Sequence, residues 1–425
     1  MEPVLRKVAW RLIPFMGVLY LVAFLDRVNI SFAALTMNVD LAFSATVFGN
    51  AAGVFFLGYV LFEVPSNLLL HRVGARRWIA RIMITWGLLS TGMAFVHTPW
   101  SFYTLRFLLG VAEAGFFPGM ILYLTYWFPA PQRGRILGAF MVFLPLASVI
   151  GAPISTALLD LNAGGLHGWQ WLFILEGMPA ALLGVTVPRI LTDRPDQAGW
   201  LTPDDRNRLV DLLATDSCTG GVRNVATRQG LLHPRVWLLG AVYFALLTAL
   251  YGFNFWLPQV IQSLGTLTHR EIGLLTLLPN VVAASAIYGW GRHSDLIGER
   301  RWHVALPAFL AAVGLTLASA KFAPPPIVVG ALILGAVGIY GTLPAFWTFP
   351  TTLLSGAGAA AGIALINSIG NIGGYFGPSV MGYLKDASGS YAYGLRGLAA
   401  SLTVAGVLAL LLAPGRKVEK CADWG

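Results

Sequence analysis

The chain has 425 residues, of which 56% are hydrophobic and only 11% charged, with a formal net charge of +9. A soluble domain carries about 25% charged residues, so the composition excludes an ordinary soluble enzyme or binding module. The positive balance is not a nucleic-acid signal, because the arginines and lysines gather in short loops on one side of the apolar segments, where they report topology.

The apolar segments run about 20 residues each, the length of a membrane-crossing helix, and lack the alternating ten-residue pattern of a β-barrel. Twelve are predicted. The first six are Leu12–Leu35, Thr46–Leu70, Trp78–Val96, Trp100–Trp127, Ile136–Leu159 and Trp171–Leu191. The second six are Val236–Ile261, Ile272–Gly291, Trp302–Ala320, Ile327–Phe349, Ala359–Leu384 and Leu395–Leu412. An even number puts both termini on one side. Arg6, Lys7 and Arg11 precede span 1, Arg72, Arg76, Arg77 and Arg81 follow span 2, and Arg292, Arg300 and Arg301 follow span 8. The positive-inside rule makes that side cytoplasmic. The expected fold is an all-α polytopic membrane protein with 12 transmembrane helices in two six-helix pseudo-repeats.

Span 1 carries the most informative stretch, Phe24-Leu25-Asp26-Arg27-Val28-Asn29. A charge at the bilayer centre costs roughly 2.5–3.5 kcal/mol on insertion scales. Asp26 and Arg27 are helix neighbours about 100° apart, so they face each other poorly and each needs a partner elsewhere. Glu113 lies about thirteen residues into span 4, and the 1.5 Å rise per residue places it, like Asp26, near mid-depth. An apolar midplane favours a neutral acid and a nearby cation a charged one, so both acids are candidates for carrying protons. The bland alternatives are mutual neutralisation of Asp26 and Arg27, and a neutral Glu113 bonded to a backbone carbonyl. Arg27 offers a planar donor fork that fits a carboxylate. Arg106, two turns before Glu113, either guides anions or pairs with the other charges, or else snorkels to the outer interface.

Glu63 precedes Pro65 in span 2 and reads as structural or gating; Glu176 in span 6 reads as a helix-packing residue that could also bind protons. Tyr59 offers a hydroxyl on a flat ring, and Asn254 sits among aromatics in span 7. Asn367 and Asn371 are four apart in span 11 and share a face, for a ligand or for interhelical hydrogen bonds. Phe346 and Trp347 read as core or as a stacking surface.

Between spans 6 and 7, Thr202-Pro203-Asp204-Asp205 has the form of an N-cap, a first-turn proline and first-turn acids, so a short surface helix is expected to about Ala214, with a flexible 215–228 after it. The expected domains are 1–191, a six-helix bundle; 192–234, a cytoplasmic linker; 235–413, a second six-helix bundle; and 414–425, a cytoplasmic tail. Internal echoes support the division. Gly74-Ala75-Arg76-Arg77-Trp78 recurs as Gly298-Glu299-Arg300-Arg301-Trp302, and Gly151-Ala152-Pro153 has a counterpart in Gly377-Pro378. Two related halves with a site at mid-depth is a transporter architecture. Cys218 and Cys421 fall on the cytoplasmic side, where a disulfide is not expected.

The loop from Ser66 to Trp78 resembles the signature between helices 2 and 3 of the major facilitator superfamily, although the acid before Arg72 is missing; the second copy, with Asp295, keeps it. More narrowly, Phe24–Asn29, Phe62–Asn67, Arg106–Pro118, Trp169–Pro179 and Ile363–Pro378 resemble the anion:cation symporter family, whose members carry organic acids such as tartrate, phthalate, hydroxyphenylacetate and sugar acids. The resemblance implies proton coupling at Asp26 and Glu113, a carboxylate held by Arg27, and further substrate contacts at Tyr59 and Asn371, with Asn254 and Trp347 as counterparts in helices 7 and 10. It implies a gate at Asp295, Arg76, Arg77, Arg300 and Arg301.

No enzyme signature, phosphate-binding glycine loop or metal-ligand spacing is present, and no cofactor is expected. The expectation is a monomeric inner-membrane symporter with a small carboxylate, protons and the lipid bilayer as its partners. The rivals are an exporter or antiporter on the same fold and a non-transporting membrane sensor.

Overall fold

In hydrocarbon every backbone N–H and C=O must be satisfied within the structure, and a helix does this within one segment. The computed structural model describes residues 2–141, 143–219, 234–353 and 357–412. Its helices are α1 (Pro3–Asp40), α2 (Ala45–Val73), α3 (Ala75–Gly92), α4 (Pro99–Glu113), α5 (Phe116–Thr125), α6 (Ala130–Met141), α7 (Phe143–Leu158), α8 (Gly168–Ile190) and α9 (Pro203–Thr219). They continue as α10 (Pro234–Gln262), α11 (His269–Ile297), α12 (Arg301–Ala318), α13 (Pro325–Leu353), α14 (Ala357–Ser388) and α15 (Ala392–Leu411).

Ten helical stretches among the described residues are long and apolar enough to cross a membrane, α4 with α5 counting as one. The other two expected spans fall on α6 with α7 and on α14. In α14 glycines and the two asparagines dilute the hydropathy.

Local chemistry starts the helices. The Ser44 hydroxyl accepts from the Val47 N–H at 3.2 Å at the head of α2. Thr98 and Ser101 form a reciprocal cap with Pro99 in the first turn of α4. Thr202 caps α9 through the Asp205 N–H, as its sequence suggests, but the helix runs on to Thr219 instead of stopping near Ala214. Residues 220–233 and the tail with Cys421 lie outside the described residues. Lys7 donates to Asp205 at 2.6 Å and Arg208 to Glu2 at 3.0 Å, tying α9 to the start of α1. The Lys7 ammonium holds the Asp205 carboxyl below the usual carboxylate range.

One element differs from its sequence pattern in a way that matters. The apolar run Trp100–Trp127 predicts one helix, but the helix breaks at Ala114-Gly115, where Gly115 has φ +82°. A Cβ at Gly115 would meet the Ser66 hydroxyl at 2.4 Å, so the break lets the chain press against α2. Apolar periodicity runs straight through such a break, which is why the pattern hides it. Glu113 thereby becomes the last residue of α4.

The chain divides into two compact units. One comprises Met1–Gly221 with Phe255–Leu277, the other Val222–Asn254 with Leu278–Gly425. In the first unit α2 packs on α4, α3 on α8, and α1 on α7 and α8. The 255–277 segment belongs here through Trp256, edge-on to Phe48 at 4.9 Å, and His269, 2.6 Å from Asp160. In the second unit α12 packs on α13 and α15. The echoed loops share a backbone feature as well as a sequence: Gly74 and Gly298 both have positive φ.

The α2–α4 contact has almost no tolerance. A Cβ at Gly110 would lie 2.0 Å from the Phe55 carbonyl oxygen and 3.1 Å from the Tyr59 nitrogen, both backbone atoms. Gly110→Ala therefore forces the helices apart, at a cost of about 1–3 kcal/mol. Thermal melting of detergent-solubilised protein reads this as a fall in Tm, while Gly92→Ala, where a Cβ meets nothing within 4 Å, is the neutral control.

Candidate functional site

Four helices of the first unit converge on a buried charge cluster. α1 contributes Asp26, Arg27 and Asn29; α2, Phe55 and Tyr59; α3, Trp86 and Ser90; and α4, Arg106 and Glu113. Asp26 is 1% exposed. One of its oxygens accepts from Asn29 Nδ2 at 3.0 Å and from the Ser90 hydroxyl, and the other accepts from Trp86 Nε1. Such donors offset the cost of burying a carboxylate, which is large when the group is unpaired.

Arg27 does not turn back on its neighbour Asp26. Its Nη2 donates to Glu113 Oε1. The Arg27 guanidinium lies 5.6 Å from the Phe55 ring centroid and 5.5 Å from that of Tyr59, within cation–π reach. Its side chain keeps 20% exposure while that of Glu113 keeps 3%, so a ligand can approach the pair from the arginine side.

Arg106 keeps only some of the alternatives that its position leaves open. It does not snorkel; it is fully buried, with its guanidinium 4.9 Å from the Phe55 centroid. Nε donates to the Ala51 carbonyl at 3.2 Å, while Nη1 and Nη2 are buried without a hydrogen-bond partner. Asp26, Arg106 and Glu113 interact electrostatically with one another. The chemistry available is a carboxylate exchanged between fixed cations, with two acids at hand to take or give a proton.

The remaining expected substrate residues belong to the second unit. Asn254 donates to the Leu250 carbonyl at 2.8 Å and accepts from the Tyr340 hydroxyl at 3.1 Å. Tyr340 also reaches Asn280 at 3.5 Å. Trp347 stands edge-on to Tyr243 at 5.0 Å, and Phe346 stacks on the same ring at 4.8 Å. Gly370 of α14 packs against Tyr243, which places Asn371, 8% exposed, on a buried turn, with Asn367 half-buried one turn earlier.

The expected gate residues sit at helix ends. Arg76 and Arg77 are exposed, and the Arg76 backbone N–H donates to Asp193 at 2.8 Å. Arg300 donates to Ser294 at 2.8 Å and Arg301 to the Leu412 carbonyl at 3.4 Å. Asp295 lies on α11, and its side chain is outside the described residues. No three His, Cys, Asp or Glu side chains among the described residues group as a metal site.

Sequence reasoning missed Trp86, Ser90, Tyr340 and Asn280. Trp86 and Ser90 carry a faint signal, two hydrogen-bonding side chains four residues apart in an apolar helix. Tyr340 carries none without knowing what faces it.

An apolar helical bundle with ionisable groups held together inside it is the build of a multi-pass membrane transporter. The chain belongs to the Major Facilitator Superfamily, whose family model matches residues 16–378. It is 52% identical over 410 residues to an Agrobacterium vitis protein provisionally named a tartrate transporter, covering 96% of this chain and 94% of that one. It is 41% identical over 396 residues to a protein of Acinetobacter baumannii named a quinolone resistance transporter, covering 93% and 91%. The crystal structure of a bacterial homologue of the human lysosomal transporter Spinster shares the fold, with a TM-score of 0.76 and 17% identity over 97% of each chain. These relatives are transporters, not enzymes.

Proposed function

We propose that this transporter is a proton-coupled symporter that imports an organic acid anion across the inner membrane by rocker-switch alternating access, with both termini in the cytoplasm. The observation that carries this reading is the Arg27–Glu113 pair beside buried Asp26. A guanidinium paired with an internal carboxylate is a site that a substrate carboxylate can take over when the internal acid is protonated. Protonation of Glu113 releases Arg27, the incoming carboxylate replaces it, and Asp26 carries the proton linked to the loaded state. Arg106, with two buried nitrogens unpartnered, supplies a second cation towards the same anion. Tyr59, Asn254, Trp347, Asn367 and Asn371 complete the contacts, and Asp295, Arg76, Arg77, Arg300 and Arg301 serve the cytoplasmic gate. The functional bundles are 1–191 and 235–413, joined by the 192–234 linker and followed by the 414–425 tail, in a monomer.

The relative named a tartrate transporter supports a small hydroxylated dicarboxylate as cargo. The relative named for quinolone resistance favours a second reading, efflux in exchange for protons. Uptake driven by an inward proton gradient into proteoliposomes separates the two, with labelled tartrate, phthalate, hydroxyphenylacetate and galactonate as cargo. The expected result is accumulation of at least one acid, abolished when the gradient is collapsed. A panel in which no acid accumulates while a quinolone moves against the proton gradient replaces symport with antiport.

A further inference from the structure

Glu176 on α8 lies outside the cluster described above, yet it is only 6% exposed. Its Oε1 accepts from the Ser155 hydroxyl at 2.6 Å, and its Oε2 is buried without a hydrogen-bond partner. The Asn29 side chain, which donates to Asp26 at 3.0 Å, also reaches Glu176, and the Asp26 charge acts on Glu176. A Cβ at the adjoining Gly177 would lie 2.8 Å from the Thr91 nitrogen and 3.0 Å from the Ser90 hydroxyl. Close approach of α8 to α3 thus sets the residue after Glu176 against the same Ser90 that holds Asp26.

The cations are elsewhere. α8 packs on α1, α3, α7 and the uncharged turn Met93–Phe95. α7 carries no charged residue, and the charged residues of α3 are Arg76, Arg77 and Arg81 in its first two turns. Arg81 lies over Trp78, roughly 13 Å along the helix from Ser90. On α1, Arg6, Lys7 and Arg11 lie in its first turns, roughly 22 Å or more along the helix from Asp26. Asp40 ends the helix and accepts from Trp169, two turns before Glu176, and Arg27 is engaged with Glu113. The charged group facing Glu176 is therefore another carboxyl, Asp26.

We infer that Glu176 is a third proton-carrying group of the transport cycle, sharing a proton with Asp26 across the Asn29 amide. Two buried carboxyls that share one amide donor and feel each other's charge do not both ionise cheaply, and they titrate as a pair. The pair holds one proton and one negative charge. When the proton leaves Glu176 it is gained by Asp26, the charge moves the other way, and the Asn29 amide donates to whichever carboxylate is left. Asn29 follows Asp26 along α1, and Glu176 lies two turns beyond Trp169 of α8, which donates to Asp40 at the end of α1, so the pair extends the proton site in that direction.

The inference rests on the proton-coupled reading above, and its test keeps the two apart. The pH of half-maximal gradient-driven tartrate uptake is measured in proteoliposomes for wild type, Glu176→Gln and Glu176→Asp. Glutamine removes the negative charge that favours a proton on Asp26, so the midpoint is expected to move about one unit towards acid. Aspartate, which restores the charge, is expected to bring it back. A midpoint unmoved by Glu176→Gln overturns the inference, as does equal loss of uptake in both variants when both melt like wild type. If wild-type uptake ignores the gradient, symport itself fails. Should Glu176→Gln not fold, infrared titration of the protonated-carboxyl band in wild type and Asp26→Asn decides, and it needs no substrate. The step that remains in Asp26→Asn is expected about one unit below its wild-type position, and a step that stays in place overturns the inference.

Discussion

Replacing Arg27 by lysine raises the concentration of acid needed for half-maximal uptake by roughly tenfold to a hundredfold, and the protein still folds. Lysine keeps the positive charge, so Glu113 is not left buried beside nothing, and the destabilisation that follows from stripping a buried ion pair is avoided. What lysine loses is the planar fork and its weak hydration. The guanidinium lies 5.6 Å from the Phe55 centroid and 5.5 Å from the Tyr59 centroid. An ammonium there makes a poorer match to a carboxylate and drags more water into the site. A hydrogen bond to a charged group contributes about 1.5–3 kcal/mol, which sets the fold-change. Equilibrium binding of labelled tartrate reads it directly. Arg27→Lys protein that binds and takes up the acid like wild type would remove Arg27 from the substrate site, and the Glu113 pairing would become purely structural.

The charged part of this cluster was legible in the sequence because charge is expensive in a bilayer. Asp26, Arg27 and Glu113 stand out against apolar neighbours, and the fixed helical rise places them at similar depth. That Arg27 would choose Glu113 over its neighbour Asp26 follows less surely, since 100° of helix rotation discourages one pairing without selecting another. Arg106 shows where this reasoning stops. Near the start of an apolar run an arginine is equally at home in an interface or in a core, and only the packing of α4 on α2 around Phe55 and Ala51 decides. The neutral partners were harder still. Trp86 and Ser90 are ordinary residues for a membrane helix, and their meaning depends on α3 facing Asp26. The break at Gly115 was invisible for a similar reason, because a left-handed glycine inside an apolar run leaves the hydropathy unchanged. It nevertheless ends α4 at Glu113.

Asp26→Asn abolishes gradient-driven accumulation, by more than a hundredfold, and impairs exchange of labelled for unlabelled acid much less. Trp86, Ser90 and Asn29 all donate to Asp26, and a donor can be satisfied only by an acceptor. Asparagine keeps one acceptor oxygen and turns the other position into an NH2 group, which opposes at least one of those donors at a cost of about 1–3 kcal/mol. The variant therefore melts below wild type, and that loss is measured separately by its Tm. The transport effect is different in kind. Asparagine neither takes up nor releases a proton, so the cargo can cross in a fixed protonation state but the gradient no longer has this group to act on. Exchange needs no net proton movement, whereas accumulation does, and the ratio of the two rates cancels any common loss from misfolding. If accumulation and exchange fall by the same factor, Asp26 holds the helices together and the coupling proton rides elsewhere, on Glu113 first. If accumulation survives at the wild-type level, the buried donors around Asp26 serve only to keep a structural carboxylate in place.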